Sequence, residues 1–62
     1  MLNEAPPLGT LLEVTAAGHQ DFGKSGPLTG YHGVLTDMVY VLVDGADTLL
    51  CLAYLSKRPT DG

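Results

Sequence analysis

Residues 18–25 read Gly18-His19-Gln20-Asp21-Phe22-Gly23-Lys24-Ser25, the spacing of a phosphate-binding loop. In such a loop backbone amides cradle the phosphates, the lysine reaches the terminal ones and the hydroxyl holds magnesium. Val39-Tyr40-Val41-Leu42-Val43-Asp44 even imitates the apolar strand and carboxylate of a metal-binding partner strand. The site works, however, only where a helix follows and turns its N-terminal amides on the phosphates. Here Ser25 is followed by Gly26-Pro27, then Gly30 and Gly33, so no helix is expected. A chain of 62 residues also cannot supply a parallel sheet with both faces covered. The expectation is no nucleotide binding and no cofactor.

His19, Asp21, His32 and Asp37 are the other residues with acid–base or metal-ligating chemistry. Only His19 and Asp21 are neighbours, and both fall in a glycine-rich stretch. They read as solvated loop residues, with no metal site. Cys51 is the one cysteine, so no intrachain disulfide is possible. Between Leu50 and Leu52 it reads as a small buried hydrophobe rather than a reactive thiol. No Ser-His-Asp or Cys-His signature is present, and the chain reads as non-catalytic.

Length and charge narrow the classes further. One small domain of marginal stability is all that 62 residues allow. Hydrophobic residues make up 45% and charged residues 16%, against about 25% charged in an average domain, so the composition is that of a folding chain. Three basic residues, Lys24, Lys57 and Arg58, face seven acidic ones, for a net charge of −4. The basic stripe of nucleic-acid binders is missing, which disfavours a phosphate-backbone role and leaves only a local contact open. A polybasic membrane patch is disfavoured for the same reason. The N-terminus lacks the basic and apolar regions of a signal peptide, and acidic residues interrupt the longest apolar stretch. The cytoplasm is the expected compartment.

The elements that must position these residues are short. Pro6-Pro7 makes residues 1–8 an extended tail. Gly9 to Thr15 reads as a first strand. Five of the eight glycines fall between Gly18 and Gly33, and this section reads as a long loop entering a second strand near Tyr31 that runs to Thr36. Residues 39–43 carry the strongest β signal. Asp44-Gly45 is a turn dipeptide, after which residues 48–52 pair back as a hairpin. Residues 53–56 suit a single helical turn, and residues from Lys57 onward a short last strand or a polar tail. The competing reading is a helix over 48–58, capped by Asp47 and closed by Lys57-Arg58 before Pro59. The strand reading gives an all-β fold: a small five-stranded SH3-like barrel over residues 9–58, between the tail 1–8 and a C-terminal tail 59–62.

Gly26-Pro27-Leu28, Gly33-Val34, the apolar strand 39–43, Gly45 and the strand 48–52 together resemble a KOW-type SH3-like barrel. Such barrels form the C-terminal domain of NusG-type transcription elongation factors and occur in ribosomal proteins. The resemblance covers about residues 9–58. It implies a barrel that binds RNA or proteins of the transcription or translation machinery. Residues 15–25 are an insertion relative to that pattern, and the acidic balance departs from the RNA-binding members. The type II dihydrofolate reductases build a catalytic site at the symmetry axis of equally small barrels. Leu50-Cys51-Leu52-Ala53 stands where they carry Val-Gln-Ile-Tyr, but an enzyme completed only in an oligomer is the further alternative.

The last signal is surplus apolar area. A strand buried on one face alternates apolar and polar residues, whereas residues 39–43 and 49–52 do not. If Val39, Val41 and Val43 fill the barrel, Tyr40 and Leu42 stand outside it; with the register reversed the valines do. The outer face then needs a cover: a second copy, another protein, or the N-terminal tail folded back. Tyr40 and Leu42, with Phe22, Tyr31 and His32 at the long loop, are the expected partner-binding residues. Phe22 either plugs one end of the barrel or anchors a partner. The function expected is assembly or protein binding, as a homo-oligomer or with a protein partner.

Overall fold

The computed structural model describes residues 2–58; the tail assigned to 59–62 lies outside them. Five antiparallel strands form one sheet: β1 (Leu11–Val14), β2 (Ser25–Tyr31), β3 (Met38–Val43), β4 (Ala46–Cys51) and β5 (Leu55–Lys57). A single 3-10 turn, Leu52–Tyr54, joins the last two. The spatial order is β4-β3-β2-β1-β5, so the sheet coils into a small barrel whose ends, β4 and β5, do not pair. The fold is all-β as expected. Among the described residues no helix is long and apolar enough to cross a membrane.

The core follows from alternation along the strands. Leu12 and Val14 of β1, Leu28 of β2, Val39, Val41 and Val43 of β3, Leu50 of β4, Leu52 and Leu55 are all buried. Fully burying each such side chain contributes about 1.5–3 kcal/mol. The valines of β3 point inward, which leaves Tyr40 and Leu42 on the outer face.

The β3–β4 connection is the two-residue turn Asp44-Gly45, with φ of 51° and 80°. Two positive φ values define the type I′ turn whose twist matches that of the flanking strands. The turn sets Val43 against Ala46 and carries the ladder without a break to Met38 against Cys51. That ladder excludes the helix over 48–58. Leu50 lies on the inner face and Leu49 on the outer, the alternation of a strand.

The glycine-rich segment departs from expectation. A regular strand, β2, runs from Ser25 to Tyr31 within what reads as loop, and residues 32–37 form a turn where a strand was expected. Gly26 and Gly30 are both strand residues, and Gly26 sits where a neighbouring strand comes close. Residues 25–27 of β2 pair with β1, then the strand changes partner and pairs with β3 from Leu28 onward, with a bulge at Thr29. At this corner the carbonyl of Leu42 lies over the Cα of Gly26, where a Cβ would overlap it.

The N-terminal tail is extended but not free. Leu2 packs on the core and its N–H donates to the Leu52 carbonyl at 3.2 Å. Pro6 is buried, and its carbonyl accepts the Tyr31 hydroxyl at 2.6 Å. Thr10 closes a turn on the Pro7 carbonyl through its N–H at 3.2 Å and its Oγ1 at 2.7 Å.

Gly26→Ala is expected to cost about 3 kcal/mol, the upper range for forcing atoms into filled space. A 62-residue domain has roughly 3–9 kcal/mol in total. Urea denaturation followed by circular dichroism should therefore show a large fall in midpoint, and an unchanged midpoint would contradict the close approach.

Candidate functional site

The phosphate-loop residues belong to the β1–β2 connection. Gly18 and Gly23 adopt positive φ, 87° at each, and tight turns run from Phe22 N–H to the His19 carbonyl and from Lys24 N–H to the Asp21 carbonyl. Gly23 N–H donates to the Val14 carbonyl, so the loop returns directly onto β1. Ser25 opens β2, and a strand stands where a phosphate site needs a helix. Lys24 Nζ lies 2.8 Å from Asp44 Oδ2 and 3.6 Å from Asp21 Oδ1. The hydrogen bond and charge of Asp44 hold the ammonium's pKa above its ordinary value, with Asp21 adding a smaller effect. The lysine's side of this pairing therefore favours folding at neutral pH, and that contribution is lost as pH rises through the raised lysine pKa.

The two histidines serve their own loops. Nδ1 of His19 accepts the Asp21 N–H at 3.0 Å. Nδ1 of His32 accepts the N–H groups of Val34 at 3.1 Å and Leu35 at 2.9 Å, which closes the 32–37 turn. Among the described residues no three His, Cys, Asp or Glu side chains form a group able to hold a metal.

Two surfaces remain. The first is the outer face of the β3–β4 hairpin. The register sets Met38 opposite Cys51, Tyr40 opposite Leu49 and Leu42 opposite Asp47. Leu42 is 36% exposed and Leu49 38%. Tyr40 is half-buried, with the His32 ring stacked at 6.5 Å and Gly30 opposite it on β2. Thr29 Oγ1 lies 2.9 Å from Asp47 Oδ1 and ties β2 to β4 across β3. Cys51 is half-buried on this face rather than inside the core. Its outward position follows from the turn register.

The second surface is a cleft of about 290 Å³ lined by Ala16, Ala17, Gly18, His19 and Tyr54. The His19 and Tyr54 rings meet at 5.4 Å, tilted by 57°. Since Nδ1 of His19 accepts a hydrogen bond, the neutral ring presents its Nε2–H as a donor.

The expected partner-binding residues do not all come together, and none of them lines the cleft. Tyr40, Leu42 and His32 share the hairpin's outer face. Tyr31 is held by the Pro6 carbonyl, although 48% exposed. Phe22 is 58% exposed in the β1–β2 loop, so it does not plug the barrel. Leu49 was missed as a partner of Tyr40, although the two-residue turn alone pairs them. The His19–Tyr54 cleft joins residues far apart in sequence, and no local pattern announces it.

Tyr31→Phe should cost about 1 kcal/mol, the usual net worth of one hydrogen bond, and should open the tail to proteases near Pro6. Unchanged stability and cleavage would show that the bond does not hold the tail. Calorimetry with magnesium and ATP should register no binding, because β2 follows Ser25; micromolar binding lost in Lys24→Ala would contradict this. No family model, curated protein or solved structure matches this chain.

Proposed function

We propose that the protein is a non-catalytic small barrel that acts by assembly or protein binding, with the outer face of the β3–β4 hairpin as its contact surface. The observation that carries this reading is the row Tyr40, Leu42 and Leu49. These side chains stand outside a core that β3 and β4 have already filled with Val39, Val41, Val43 and Leu50. Leu2 of the N-terminal strap packs on the core and the Pro6 carbonyl holds the Tyr31 hydroxyl, while Leu42 and Leu49 are each more than a third exposed.

Charge argues against the RNA-binding alternative. Lys24 is held by Asp44 and Asp21, and Arg58 Nη1 donates to Ser25 Oγ at 2.6 Å. With a net charge of −4, little positive potential is left to attract phosphates.

Magnitudes also say something about the contact. Covering the exposed third of Leu42 and Leu49 on two copies contributes about 2–4 kcal/mol. A micromolar complex requires about 8 kcal/mol. The apolar row thus selects the surface, and backbone or polar contacts must complete the affinity. Light scattering at tens of micromolar should give a mass above one chain, and Leu42→Lys and Tyr40→Lys should lower it. A wild-type mass of one chain would overturn self-assembly through this face.

A further inference from the structure

β4 is an edge strand along its whole length; among the described residues its sheet neighbour is β3 alone. The ladder to β3 fixes which backbone groups are left. Ala46 closes the turn against Val43, and beyond the strand Leu52 N–H still donates to the Asp37 carbonyl at 2.8 Å. Alternate residues of an antiparallel strand bond to a given neighbour. Ala46, Thr48 and Leu50 therefore bond to β3, while the N–H and C=O groups of Asp47, Leu49 and Cys51 face away from it. Natural edges are blunted by Pro, Lys, bulges or short length. β5 is a three-residue edge, but β4 has six residues, with no Pro, no Lys and an unbroken register.

We infer that β4 pairs antiparallel with the β4 of a second copy, about a two-fold axis through Leu49. This rests on the assembly reading above and names its partner. With Leu49 opposite Leu49 of the second copy, Asp47 falls opposite Cys51 on both sides of the axis. Every outward-facing N–H and C=O of the strand then meets an outward-facing partner. Moving the axis to Thr48 leaves Cys51 facing the Asp44-Gly45 turn. Moving it to Asp47 sets two carboxylates directly opposite, which is destabilising.

About Leu49 the two Asp47 side chains are four residues apart along the strands, roughly 14 Å. That exceeds the screening length of about 8 Å at physiological salt, so two acidic chains meet without close repulsion at this edge. The apolar row also becomes continuous. On the outer face the two Leu49 side chains lie together, each flanked by the Tyr40 of its own β3.

The test uses Leu49→Cys in a Cys51→Ser background, which puts the only thiol on the axis. Under mild oxidation this variant should run as a covalent two-chain species on a non-reducing gel. Val34→Cys in the same background, at a position 81% exposed on the 32–37 turn, should stay single. Leu49→Lys should reduce the solution mass to one chain with an unchanged β circular dichroism spectrum. Cross-linking no greater than that of the Val34 control overturns the β4 pairing. If the wild type then still associates and Leu42→Lys still separates it, the outer-face reading stands without this partner geometry. A wild type that remains one chain overturns both.

Discussion

Where β2 changes neighbours, the carbonyl oxygen of Leu42 lies against the Cα of Gly26, in the space that a side chain would need. The same strand pairs Gly26 with Leu12 of β1 and, two residues on, Leu28 with Val41 of β3. Close contact on both sides lets one strand serve both halves of the barrel. Without it the inner faces of β1 and β3 could not close over a single core. Leu12, Val14, Val39 and Val41, each at 1% exposure or less, depend on that coiling.

The coiling also decides what is left outside. Five short strands enclose one layer of leucine and valine, and the two end strands do not meet. β5 is short, and its surroundings are tied by the N–H of Arg58 to the Leu11 carbonyl and of Thr15 to the Tyr54 carbonyl. β4 is longer and carries Leu49 of the hairpin's apolar outer row. The surface most available for contact is thus a by-product of how the core closes. The N-terminal strap seats Leu2 on the core and buries Pro6, while Leu42 and Leu49 stay more than a third exposed.

Much of this is legible in the residues, for physical reasons that can be named. Asp44-Gly45 specifies a two-residue turn, and that turn fixes the pairing of every residue in β3 and β4. The alternation of valine with Tyr40 and Leu42 gives the inner and outer faces once the strand is recognised. The glycines mislead. Gly26 and Gly30 look like breakers, because local propensity counts their entropy and cannot see the sheet that holds them, nor the strand that Gly26 must pass. His32 ends β2 early by folding the following turn around its own Nδ1, against the β signal of residues 31–36. The strap is invisible for a different reason: Tyr31 and Pro6 are 25 residues apart, and only the closed barrel brings them together.

Amide hydrogen exchange along β4, resolved residue by residue across a range of protein concentration, tests most directly the claim that this edge is completed by a second copy. Thr48 and Leu50 amides bond to β3, so their protection should be high at every concentration. Asp47, Leu49 and Cys51 amides face away, so their protection should be low in dilute solution and rise with concentration. A Leu49 amide that exchanges freely even in concentrated solution, beside protected Thr48 and Leu50, would contradict the account.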